Sequence, residues 1–158
     1  LLVMNTTLGT GDAPLSPGFL AWREMCARNP GFDVGRLFAR GNPHLTPQEC
    51  AAYDAPFPDD AYKAGARVFP ALVPVTPEHG SVAENIAAWT VLERFDKPFL
   101  TAFSDGDPVS KGGEAVFKSR VPGAAGQPHV ILHGGHFLQE DSPQEIADLI
   151  DQMIQARA

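Results

Sequence analysis

An α/β fold built on a parallel sheet, with a helical subdomain inserted in it, is predicted by three features of the sequence. Residues 78–158 alternate helix and strand patterns, which means parallel strands joined by right-handed crossovers. Residues 12–77 carry helical patches cut by prolines and no convincing strand pattern. The chain opens on the apolar run LLVMNT, residues 1–6, which has the composition of a buried strand. Together they divide the chain into a sheet strand at 1–11, a helical segment at 12–77 and the rest of the core at 78–158. The nearest methionine, Met4, lies inside the opening run, so further residues are expected upstream of it.

TLGTGDAPLSPG, residues 7–18, reads as a turn-rich exit from that strand. Helices are predicted over 19–26, 33–39, 47–54 and 61–69. The third has the clearest start, with Thr46 as N-cap and Pro47 at the first helical position, where a missing N–H costs nothing. SVAENIAAWTVLERF forms a helix with Val82, Ile86, Trp89 and Leu92 or Val91 on one face, Trp89 packing on the sheet. KPFLTAF, 97–103, is a buried strand, followed by a loop and helix, and PHVILH, 128–133, is the next strand. The final helix carries Ile146, Leu149, Ile150, Met153 and Ile154, and Ser142, Pro143 and Glu145 predict a capping box at its start.

Charge and cysteine content exclude several classes. A net charge of -7 and a pI near 5.1 argue against a nucleic-acid or anionic-membrane partner, either of which needs a basic patch. There is no 18-residue apolar run to span a membrane and no basic-then-apolar secretory leader in these residues. Cys26 and Cys50 lack metal-type spacing and suit unpaired thiols in a reducing cytoplasm, so no metal and no cofactor are expected.

In a parallel sheet, reacting groups stand beyond the carboxyl ends of strands. SDGDP follows one predicted strand and GGHF the next, supplying a carboxylate and an imidazole. Such a pair is the orienting half of a triad: the acid holds Nδ1–H and leaves the other ring nitrogen as base. Asp107 is the preferred acid, on its register with Pro108, and Asp105 competes for the role; His136 is the base. Each has a plainer explanation. Asp before Pro is ordinarily a turn or cap residue, and a single histidine is ordinarily structural. Their placement at the ends of successive strands favours chemistry. Gly134 and Gly135 permit the tight turn that presents His136, while nothing implies a partner for His133.

KPFLTAFSDGDP and LHGGHFLQED resemble the acid and histidine motifs of the α/β-hydrolase fold, in that fold's order and 29 residues apart. GFLAW, LTPQECAAYDAPFPDDAYKAGARVFP and FSDGDP further resemble the haloalkane dehalogenases whose second halide-binding tryptophan lies in the cap. That resemblance implies an aspartate nucleophile that displaces halide from a haloalkane to leave an alkyl ester. The histidine, stabilised by the acid, then activates water to hydrolyse it. It also implies that Trp22 binds halide through its indole N–H, and that Phe19, Phe69, Pro70 and Val109 line the substrate pocket. Without the resemblance, Trp22 would be taken for a packing residue.

No nucleophile elbow, G-x-[SDC]-x-G or D-W-G-G, occurs in these residues. The chain therefore resembles the C-terminal half of a dehalogenase, supplying acid, base and cap. The N-terminal half of the same fold is its expected partner, beside haloalkane, water and halide. An epoxide hydrolase of this fold is the alternative, with Tyr53 and Tyr62 available to protonate an epoxide, as is a non-catalytic relic.

Overall fold

The computed structural model describes residues 1–156. They form two compact units, one of Leu1–Leu8 with the described residues from Ile86 onward, the other of Gly9–Asn85.

The first unit is built on three parallel strands, β1 (Leu2–Met4), β2 (Leu100–Ser104) and β3 (Val130–Leu132), in the order β1-β2-β3. Leu2 pairs with Leu100, and Ala102 with Val130. Period-2 alternation on β2 sends its residues to opposite faces, each covered by helices. On one face Phe99 and Phe103 pack with Trp89, Phe117, Val121 and Ala124. On the other, Leu100 and Ala102 pack with Leu149, beside Leu2, Met4, Val130 and Leu132. This double cover explains why all of β2 is buried, its two polar residues, Thr101 and Ser104, being held by hydrogen bonds.

The second unit is helical. It holds α1 (Pro17–Arg28), α2 (Val34–Gly41), α3 (Pro47–Asp54) and α4 (Ala64–Leu72), and α5 (Val82–Leu92) begins in it. Ser16 accepts from the Phe19 N–H and Asp33 from the Arg36 N–H, satisfying first-turn donors. Thr46 caps α3 as predicted, and Glu49 completes a capping box by accepting from the Thr46 N–H at 2.7 Å. Helices α2 and α3 are tied by the Phe38–Tyr53 stack and a bond from the Gly35 N–H to Asp54. Arg23 reaches from α1 to the Pro70 and Val73 carbonyls at the end of α4, which have no helical partner.

Three local expectations need correction. Trp89 is buried on α5 and donates from Nε1 to the Leu8 carbonyl, and Leu92 packs on the same cluster, but Ile86, expected on its face, is 52% exposed, as is Val91, the alternative to Leu92, at 66%. Ser142 does not cap the last helix, α8 (Pro143–Gln155); its hydroxyl donates to the His133 carbonyl. The hydroxyl is oriented by a distant acceptor and not by the first-turn N–H it was expected to accept from. On α8, Ile146 and Leu149 are buried, whereas Ile150 and Ile154 are exposed and join Leu1, Leu2 and Met153 in an open apolar groove beside β1. The apolar stripe of α8 is thus wider than the sheet surface that covers it. Between β2 and β3 runs α6 (Gly113–Arg120), and a four-residue helix α7 (Leu138–Asp141), too short to leave a periodic signal, precedes α8. Among the described residues no helix is long and apolar enough to cross a membrane.

Candidate active site

Beyond β2 the chain turns through Asp105, Gly106 and Asp107, and beyond β3 through His133 to His136. The two turns continue the ladder as loops: Asp105 N–H donates to the Leu132 carbonyl and Gly106 N–H to that of Gly134, both at 3.0 Å. Gly106 is required there, because a Cβ would stand 2.8 Å from the Gly134 oxygen. Gly134 itself holds φ at 155°, and a Cβ on it would press on Asp141.

This close approach brings each candidate acid to one histidine. Asp107 accepts from His136 Nδ1, with both oxygens at 3.1 Å, and Asp105 accepts from His133 Nδ1 at 3.1 Å. Their surroundings differ. The Asp107 side chain is fully buried and that of His136 is 34% exposed, whereas the His133 side chain is 95% exposed. The second pair is therefore a solvated surface contact.

Burial alone raises the Asp107 carboxyl pKa. Hydrogen bonds from the Ser110 hydroxyl, the Val109 N–H and His136 outweigh it, and the group lies below the ordinary aspartate value. Val109 N–H donates at 2.7 Å and Ser110 N–H at 3.1 Å. Asp107 thus does cap the turn at 107–110, as its Asp-Pro context implied, while keeping lone pairs for the imidazole. An ionised carboxylate only accepts, so His136 presents an N–H to it from Nδ1. That is an imidazole held by one of its ring nitrogens. The stability Asp107 contributes is present above the unfolded carboxylate's range, near pH 3.9, and is lost as pH falls through the depressed native value.

Asp105 is likewise lowered, by His133 and then the Gly134 N–H, and His133 is raised by Asp105. A partner for His133 was not legible in the sequence. Nor were Ser110, Asp141, which accepts from the Gly135 N–H at 2.7 Å, and Asn5 at the end of β1. A serine three residues after Asp107 is a turn signature that could have marked Ser110; the others leave no local signal.

In the helical unit, Trp22 and Phe19 meet edge to face, ring centroids 5.7 Å apart. Phe19 is buried, and Trp22 Nε1 is buried with no acceptor among the described residues. A buried, unpaired indole N–H is costly in any fold and calls for an explanation. Pro70 is buried at the end of α4, while Phe69 beside it is 67% exposed, and Val109 is half-buried in the Asp107 turn.

No family model matches the chain. Among curated proteins it is 46% identical over 152 residues to a haloalkane dehalogenase of Psychrobacter cryohalolentis, covering 95% of this chain and 50% of the relative. To one of Mycobacterium marinum it is 44% identical, covering 95% and 51%. The chain is homologous to the C-terminal half of haloalkane dehalogenases. It spans about half the length of the curated relatives it matches. The solved haloalkane dehalogenase DpaA from Paraglaciecola agarilytica superposes with a TM-score of 0.78 at 25% identity, over 96% of this chain and 50% of that one. DbeA from Bradyrhizobium elkani, at TM-score 0.69 and 23% identity over 99% of this chain and 60% of that one, shows the fold alone. The fold is that of the α/β-hydrolases.

Proposed function

We propose that this chain supplies the acid, the base and the cap of a haloalkane dehalogenase. Residues 1–11 and 78–158 serve as core and 12–77 as cap, and the nucleophilic aspartate comes from the half of the fold that the relatives have and this chain does not span. The observation that carries the proposal is His136, held through Nδ1 by buried Asp107 while its side chain stays 34% exposed; Nε2 is the atom that meets water in this reading. Halide displacement at an sp3 carbon by a carboxylate needs no base, but hydrolysis of the resulting ester does. His136 takes the water proton, and Asp107 stabilises the imidazolium that forms. The substrates are a small haloalkane and water, the products an alcohol and halide, and no cofactor or metal takes part.

Trp22 is the halide donor in this proposal. Halide gains charge as it leaves, and an N–H aimed from an apolar pocket stabilises it more strongly than water does. The unpaired Nε1 supports the role, with Phe19, Phe69, Pro70 and Val109 as pocket residues. Trp22→Phe keeps the apolar bulk and removes only the donor. Losing a hydrogen bond to a charged group costs about 1.5–3 kcal/mol, so halide affinity falls about 10- to 150-fold. Quenching of intrinsic fluorescence by bromide or iodide reads this directly, and unchanged affinity returns Trp22 to packing.

The deciding experiment completes the chain with its nucleophile-bearing half and compares bromide release from a bromoalkane with hydrolysis of styrene oxide. Bromide release supports the dehalogenase; diol formation alone supports the epoxide hydrolase; neither supports a relic. Against the epoxide hydrolase, Tyr62 is 63% exposed and is not set as a buried proton donor.

A further inference from the structure

At the carboxyl end of β1, Asn5 is buried and holds φ at 33°, the one non-glycine residue with positive φ among those described. Asparagine tolerates this conformation better than most residues, and strain of this kind persists only where the surroundings demand it. What demands it is a set of hydrogen bonds to residues far along the chain. Oδ1 accepts from the Ser104 N–H at 2.9 Å. Nδ2 donates to Ser104 Oγ at 2.9 Å, to the Gly135 carbonyl at 2.9 Å and to the His136 carbonyl at 3.0 Å. Ser104 Oγ in turn donates to Gly135 at 2.7 Å.

Asn5 thus brackets the ends of all three strands, and the atoms it grips include the backbone of His136. Elsewhere the His136 turn is pinned by Ser142 on the His133 carbonyl, Asp105 on the Gly134 N–H, Gly106 on the Gly134 carbonyl and Asp141 on the Gly135 N–H. Those bonds all act before His136; the bond to its own carbonyl comes from Asn5.

We propose that Asn5 is a positioning residue for His136, fixing where the imidazole stands against Asp107 and hence where Nε2 is offered to water. An amide side chain meets the geometry, since it must accept from one N–H and donate to the two carbonyls of Gly135 and His136. The catalytic consequence rests on the dehalogenase chemistry proposed above; the imidazole's geometry can be read without it.

Two variants test the bracket. Asn5→Gly keeps the backbone conformation and deletes the bracket. Asn5→Asp is isosteric, keeps an acceptor for Ser104 and loses the donors. In the full chain, the Nδ1–H proton and ring 15N resonances of His136, assigned by their loss in His136→Ala, are compared with melting temperature and circular dichroism. Both variants are expected to broaden or abolish the Nδ1–H signal and to shift the ring nitrogens toward a tautomer mixture, with the fold retained. His136 resonances at their parent positions in a folded variant overturn the proposal, whatever the melting temperature does, because a purely structural tie would move only the latter. If Asn5→Gly does not fold, Asn5→Asp decides by the same signals, and failure of both to fold makes Asn5 a folding residue and overturns it too. In the enzyme completed by its other half, both variants should slow ester hydrolysis about 100-fold, the scale of a misplaced catalytic group, while leaving the halide burst; loss of the burst, or ester hydrolysis at the parent rate, overturns the proposal. No bromide release from the parent enzyme would remove the dehalogenase assignment alone and leave the resonance result standing.

Discussion

His136→Ala, in the enzyme completed by its nucleophile-bearing half, releases about one halide per site and then stops, because displacement by a carboxylate needs no base and ester hydrolysis does. Mass spectrometry of the stalled protein finds the alkyl group as an ester on the nucleophilic aspartate. The truncation removes the imidazole without disturbing the buried aromatic cluster around Phe99 and Phe103, so the melting transition should survive. It does leave the buried Asp107 carboxylate short of one partner. The Ser110 and Val109 donors remain, and the carboxylate stays satisfied. Steady turnover by this variant overturns the assignment of His136 as base.

Asp107→Asn carries the second large effect. The amide is isosteric with the carboxylate but cannot counter an imidazolium, and its NH2 group, if turned toward His136, imposes the wrong tautomer. Turnover should fall on the order of 10³–10⁴-fold, the scale seen when the acid of a triad is neutralised. Asp105→Asn is the control. Its partner His133 is almost wholly in solvent, and the amide oxygen of Asn can still accept from the Gly134 N–H, so turnover stays close to that of the parent. Steady-state bromide release by the two variants ranks the acids, and the reverse order would give Asp105 the catalytic role.

The α/β class, the order of strands and helices and the start of α3 were legible because their signals are local. Alternating and 3.6-residue apolar patterns report burial within one element, and Thr46 with Pro47 reports a helix start within one turn. SDGDP and GGHF could be placed at strand ends for the same reason. Local signals also misled. Ser142, Pro143 and Glu145 read as a capping box, yet the Ser142 hydroxyl binds the His133 carbonyl nine residues back. Ile86 and Val91 had the right period for a buried face, but period does not say how wide the covering surface is.

By itself, then, the sequence determined where the strands and helices run, which turns carry a carboxylate or an imidazole, and the capped start of α3. Only the tertiary structure decided which acid meets which histidine, that Asp107 is buried while His133 is solvated, and that Asn5 grips a carbonyl 131 residues away. The physical reason is one of range. Propensity and capping are energies of neighbours along the chain, whereas these contacts exist only once three parallel strands lie in register and their ends converge.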